Sequence, residues 1–301
     1  MSKRTLFIVA DDFGIGPGTS AGILELAHKR RVSAALLLVN SPYAPAAVQA
    51  WRQAGRPLLL GWHPCLTLDR PVLPAQEVPS LVDAKGHFLT LRQLLYRWAT
   101  GMLSPFELLA ELRSQYARFI ELTGEPPAFM AGHHHIQVFP PIGEMLLDIL
   151  QAQGPPFPYV RRISEPWQQL LRVQGVRLKR CVLHWLGQRL ARLCSQRGFP
   201  GNDNFIGLAN PNKSNHPSYF TRWLHQLNGH CIELMCHPGH PDPTLAGRDI
   251  PRHKALDINR VREWQWLQQS DISQRCEQEG IHFIAPEQLG NPSDRSWLYA
   301  A

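Results

Sequence analysis

Short unbroken apolar runs, separated by longer amphipathic segments, constrain this chain most. Leu6–Ala10 is apolar at every position, a pattern expected of a strand covered on both faces. Leu36–Val39, Leu58–Trp62, Phe129–His135, Tyr159–Arg162, Ile206–Leu208, Cys231–Met235 and Phe283–Ala285 are further strand candidates. Helical patterns fall between them at Pro17–His28, Ala44–Gln53, Pro105–Leu122, Pro141–Gln153 and Asn259–Glu277. Strands alternating with helices of this length predict right-handed βαβ units and a parallel sheet. Their number predicts an α/β fold, a distorted single-domain (β/α) barrel of about seven to eight parallel strands spanning 1–301. Long connections at 69–88, 210–217 and 238–251 interrupt the pattern, and such connections are often functional. In a barrel the working residues should stand just beyond the strands' C-terminal ends.

The N-terminus runs directly into a strand-like segment without the apolar region of a secretion signal. No apolar run approaches the roughly 20 residues that span a bilayer. The six cysteines, at 65, 181, 194, 231, 236 and 276, form no C-x-x-C pair. That excludes zinc-ribbon and thioredoxin-like readings and predicts reduced thiols in a cytoplasmic protein. The formal charge is +7. Much of it lies in 161–197, where Arg161, Arg162, Arg172, Arg177, Lys179, Arg180, Arg189, Arg192 and Arg197 accompany Glu165 alone. Trp167 and Trp185 punctuate the stretch. It reads either as a solvated helix face or as the border of a cleft for a large or anionic substrate. No nucleic-acid motif accompanies it, so no nucleic-acid partner is expected.

Four clusters stand at predicted strand ends. Ala10-Asp11-Asp12-Phe13-Gly14 places two adjacent carboxylates where they repel. On extended backbone they point apart, so one can hold a metal while the other serves as a base. Gly61-Trp62-His63-Pro64 ends another run. In Gly132-His133-His134-His135-Ile136-Gln137, a strand would send His133 and His135 to one face, a natural transition-metal feature. Glu233-Leu234-Met235-Cys236-His237-Pro238 leads into a long loop. There a histidine, with an unperturbed pKa near neutrality, suits a general acid or base. Gly14-Ile15-Gly16 lacks the third glycine of a dinucleotide fingerprint. No P-loop, H-E-x-x-H or G-x-S-x-G occurs.

Together these clusters resemble the YdjC-like carbohydrate deacetylase family. Its patterns are A-D-D-F-G, then G-x-H, then D-[SG]-H-x-H-x-H with a following Phe or Leu and Pro, and finally E-[LV]-M-x-H-P. Here they read Ala10–Gly14, Gly61–His63, Ala131–Pro140 and Glu233–Pro238. Asn202–Leu208 also looks like a segment of the hopanoid-associated and animal branches. The resemblance implies a distorted barrel holding one divalent metal, magnesium or zinc, on Asp12, His63 and His133. It makes Asp11 the base and His237 the acid. It implies removal of acetyl from an N-acetylated amino sugar or glycolipid. His135, Trp62, Arg161 and Arg162 are candidate substrate contacts. Two positions depart from the pattern: Ala131 replaces an Asp and Gln137 replaces the last His. Loss of a residue that orients a ligand typically costs about 10–100-fold in metal affinity or activity.

Amide hydrolysis needs an activated water and a polarised carbonyl, which a metal with open positions supplies. The mixed N,O donor set favours zinc, manganese, iron or cobalt over magnesium on softness grounds. Two other functions are open: a metal-dependent barrel hydrolase acting on a phosphorylated substrate, and a degenerate sugar- or lipid-binding relative. A homodimer and peripheral membrane contact are open as well.

Overall fold

Strand β1 (Arg4–Phe13) is the hub of the sheet, with neighbours along both edges. The computed structural model describes residues 4–163, 177–207, 229–249, 257–269 and 271–285. The other strands are β2 (Ala34–Leu37), β3 (Leu59–Trp62), β4 (Phe129–Met130), β5 (Tyr159–Val160), β6 (Asn204–Ile206), β7 (Cys231–Cys236) and β8 (Ile281–Phe283). The helices are α1 (Pro17–His28), α2 (Ala44–Gln53), α3 (Leu91–Ala99), α4 (Pro105–Thr123), α5 (Ile142–Gln151), α6 (Arg177–Gln196), α7 (Ile258–Gln269) and α8 (Ile272–Gln278).

The strand order is β5-β4-β3-β2-β1-β7-β6, and every pairing is parallel. Followed around the sheet, this order is circular, and the sheet curls so that its two edges approach. Val160 N donates to Pro200 O at 2.8 Å across the gap. No β5–β6 ladder forms among the described residues, which makes this a distorted barrel. Strand β8 pairs with Arg4–Leu6, on the edge of β1 that β2 takes further along. Ser33 fills the notch between them: Ile8 N donates to its Oγ, and its Oγ donates to Ile284 O at 2.6 Å.

Alternation along the strands divides the core. Phe7, Val9, Ala34, Leu36, Phe129, Ala131, Tyr159 and Cys231 fill the inside of the curl. Leu6, Ile8, Ala35, Leu37, Leu60, Trp62, Met130, Val160, Ile232 and Leu234 pack outward under the helices. Local signals define the helix ends. In α4, Ser104 accepts from Glu107 N, Pro105 opens the first turn, and Gly124 closes the helix at φ 88°.

The expected strand Phe129–His135 stops at Met130. A 3-10 turn follows over His133–Val138, with His134 and His135 at φ 54° and 59°. The imidazoles therefore do not alternate between two faces. The predicted helix Asn259–Glu277 divides into α7 and α8. The 69–88 connection is strapped to α4, because buried Glu111 accepts the backbone N–H groups of Val72 and Leu73 at 2.9 and 3.1 Å. The connection at 210–217 lies outside the described residues, as do Glu165, Trp167 and Arg172.

Candidate metal centre

The site begins where β1 leaves its ladder. The register with β2 shifts between Ala10 and Phe13, and Asp12 takes φ 65°. This left-handed conformation is uncommon for a residue with a side chain, and Asp is among those that tolerate it. It turns the Asp12 carboxylate, 1% exposed, toward the ends of β3 and β4. Asp12 Oδ1 lies 3.0 Å from His133 Nδ1 and 3.3 Å from His63 Nε2. One ligand atom from each of the three residues falls within 4.8 Å of the others.

The donor chemistry fits a cation. His63 Nδ1 is 2.5 Å from the Ala131 carbonyl, which can only accept, so Nδ1 carries the ring proton. Its Nε2 then presents a lone pair to the Asp12 carboxylate, an arrangement that repels until a proton or a metal bridges it. His133 Nε2 is buried with no partner. Two imidazoles and one carboxylate form a set that suits zinc or another borderline divalent ion.

Ala131 and Gln137, the two departures, both serve the centre. The Ala131 backbone carbonyl orients His63, a role that does not depend on its side chain. Gln137 is fully buried, and its Oε1 accepts Gly132 N at 3.0 Å, which braces the turn that carries His133.

Asp11 points into the curl and meets Arg161 in a two-pronged pair, with Nη1 and Nη2 donating to its two oxygens at 2.7 Å each. Arg161 Nε donates to Glu233 Oε1. The Tyr159 hydroxyl donates to Glu233 Oε2 at 2.6 Å. Burial alone would raise the Asp11 pKa; the Arg161 guanidinium outweighs it and holds the carboxyl below its ordinary range. At Glu233 burial prevails and the pKa rises. Asp12 is likewise pushed up by burial, but Arg260 and His133 hold it well below the usual value. Burial lowers His133 less than Asp12 raises it, so its pKa ends above normal.

His237 follows β7, and its backbone N–H donates to Glu263 Oε2 at 2.5 Å. His134 is exposed, with its ring tilted 36° against that of His133 and its Nδ1 2.9 Å from Thr67 Oγ1. His135 is buried and meets the Phe205 ring edge-on. The other three expected substrate contacts are placed as follows. Trp62 is fully buried in the outer layer against Tyr116, because alternation sends it opposite to His63. Arg161 is consumed by two buried carboxylates. Arg162 points outward and donates to Phe199 O at 3.0 Å. Within α6, Arg189 pairs with Glu144, and Arg197 beyond its end pairs with Asp148.

Arg260, Asp249 and Glu263 were not foreseen. Arg260 Nη2 donates to Asp12 Oδ2 at 2.7 Å and to Asp249 Oδ2 at 2.8 Å. On α7, Arg260, Glu263, Trp264, Leu267 and Gln268 share one face. That helical spacing is the only signal that could have grouped them, and polar residues on it read as a solvent face.

A curled parallel sheet carrying an Asp–His–His cluster at its strand ends, with a separately held second carboxylate, defines an α/β protein with a candidate metal-binding site. Residues 5–278 match the family described as YdjC-like protein, and the chain belongs to that family. It is 36% identical over 263 residues to a chitooligosaccharide deacetylase of Serratia marcescens, covering 85% of this chain and 90% of that protein. It is 29% identical over 298 residues to a carbohydrate deacetylase of Mus musculus, covering 94% of each. A crystal structure from Enterococcus faecalis V583, named for cellobiose-phosphate cleavage, shares the fold. Its TM-score is 0.72 at 24% identity, over 96% of this chain and 99% of that one. Among the described residues no helix is long and apolar enough to cross a membrane.

Proposed function

We propose that this protein is a metal-dependent hydrolase that removes an acetyl group from an N-acetylated amino sugar or glycoconjugate. The observation that carries the reading is the convergence of Asp12, His63 and His133 beside Asp11, a carboxylate held apart by its own arginine. The names of the Serratia and mouse relatives supply the substrate class.

Asp12, His63 and His133 would hold the divalent ion. When bound, such an ion polarises the amide carbonyl and lowers the pKa of water. Asp11, kept ionised by Arg161, accepts the proton of the attacking water. His237 donates a proton to the departing sugar nitrogen as the C–N bond breaks. The products are acetate and a free amine, with one water consumed. Arg161 holds Asp11 in register and is tied in turn by Glu233, which also accepts the Tyr159 hydroxyl.

The guanidinium groups of Arg161, Arg189 and Arg197 already face carboxylates of the protein.

Metal analysis of the purified protein, followed by acetate release across N-acetylated sugars of increasing length, tests the proposal. Acetate release that vanishes on chelation and returns with zinc, cobalt or manganese is expected. Stoichiometric metal with no acetate from any amide would overturn it. The variant Asp12→Ala should lose bound metal and turnover together.

A further inference from the structure

Helix α7 reaches the Asp12 carboxylate from outside the sheet through Arg260. Arg260 is 5% exposed, and its guanidinium is ringed by three carboxylates. Nη2 donates to Asp12 Oδ2 at 2.7 Å and to Asp249 Oδ2 at 2.8 Å, and Nε lies 3.5 Å from Asp257 Oδ2. Asp12 therefore has two unlike oxygens. Oδ1 faces both imidazoles, and Oδ2 is occupied by the guanidinium.

A free carboxylate can bind a cation through one oxygen or both. Here the left-handed backbone at Asp12 sets the direction of the side chain, and Arg260 sets its rotation. A guanidinium this close to a divalent ion would be repelled if it stood alone. Asp249, which shares Nη2 with Asp12, and Asp257, 3.5 Å from Nε, offset that charge, which explains why three acids gather around one base. The contact also connects distant parts of the chain. Asp249 lies in the loop that begins beyond His237, and Glu263, one turn after Arg260 on α7, receives the His237 backbone N–H. One helix face thus holds two points of that loop against the centre.

We infer that Arg260 is a positioning residue which confines Asp12 to one-oxygen coordination of the metal, with Asp249 as the anchor that keeps it there. The inference rests on the proposed metal centre, and its test is separable from activity. Cobalt(II) is titrated into the apo-protein, and affinity is read by calorimetry and coordination by the visible d–d spectrum. The variants are Arg260→Gln, Arg260→Lys and Asp249→Asn. Partners that orient metal ligands typically contribute about 10–100-fold in affinity. Arg260→Gln should weaken cobalt by that factor and shift the spectrum toward a higher-coordinate form as Oδ2 becomes free to bind.

Arg260→Lys restores one donor and should recover part of both losses. Asp249→Asn, which leaves Arg260 in place, should fall between Arg260→Gln and the unaltered protein. Wild-type affinity and spectrum in Arg260→Gln would overturn the inference while leaving the metal centre standing. Equal weakening in Arg260→Gln and Arg260→Lys with an unshifted spectrum would reduce Arg260 to a prop for α7, and would overturn it too. If Arg260→Gln does not fold, Arg260→Lys and Asp249→Asn decide, since wild-type affinity and spectrum in both overturn it. No cobalt binding by the unaltered protein would instead overturn the metal centre itself.

Discussion

The carboxylates of Asp11 and Asp12, joined by one peptide bond, are held by different arginines on opposite sides of the strand end. Arg161 grips both oxygens of Asp11, whereas Arg260 takes one oxygen of Asp12 and leaves the other to the histidines. Each guanidinium is buried and faces further acids. Two like charges that should repel are thereby given separate partners, and separate work follows from that.

Asp11→Asn should keep the metal and lose most turnover, because the amide cannot accept the water's proton. General-base catalysis is worth about 10²–10⁴-fold. Acetate release at constant metal content is the measurement, and near-normal rates would remove Asp11 from the mechanism.

Arg161→Met leaves Asp11 and Glu233 buried without their common partner. Removing one side of a buried ion pair costs about 3–5 kcal/mol, read as a fall in urea midpoint. The pH dependence has a defined sign. The folded pKa of Asp11 lies below its unfolded value, about 3.9 in model peptides. Its stabilising contribution is therefore full above that value and is lost as pH falls through the folded pKa. In Arg161→Met burial loses its main opponent and raises the Asp11 pKa, so the same group destabilises at neutral pH. Denaturation at pH 7 and pH 4 should show the variant's deficit shrinking toward acid.

Metal binding should weaken on acidification. The pKa of His133 is raised by Asp12, so in the metal-free protein it keeps its proton to higher pH than a free imidazole. A cation must displace that proton. Affinity should therefore climb with pH through and beyond about 6.5, the ordinary histidine value. Zinc titrations at pH 6 and pH 8 give the comparison, and equal affinities would contradict His133 as a ligand.

Gln137→Leu removes the acceptor for Gly132 N within a fully buried turn. An unsatisfied buried N–H costs about 1–3 kcal/mol. Because the same turn carries His133, metal affinity should fall alongside the melting temperature. A lower melting temperature with unchanged affinity would make Gln137 purely structural.

Strand positions were readable because continuous apolar runs have few alternatives, and β1 and β7 fall close to where Leu6–Ala10 and Cys231–Met235 predict them. The residues that meet at the centre were readable because adjacent acids and consecutive histidines serve packing poorly. What the histidine run concealed was its backbone: two left-handed residues leave no trace in an H-H-H string, so alternation predicted a strand where a turn stands. Arg260 and Glu263 were hidden for another reason. In α7 the polar residues face inward and charges also stand outward, so its periodicity carries no contrast between core and solvent. The partners of Arg161 are set by the curl of the sheet, which no local pattern encodes.

Because β1 lies between β2 and β7, its first residues pair with some of the last, as in Thr5 with Cys231. On a ribosome this imposes an order in time. Asp11 and Asp12 emerge early as two unshielded acids on an incomplete sheet. His63, His133 and Arg161 follow, and the β7 edge and Arg260 arrive near the end. Contacts this remote in sequence carry a high loop-closure cost and tend to form late. A nascent chain released before Ile258 would carry every candidate metal ligand and none of the helix that steadies Asp12.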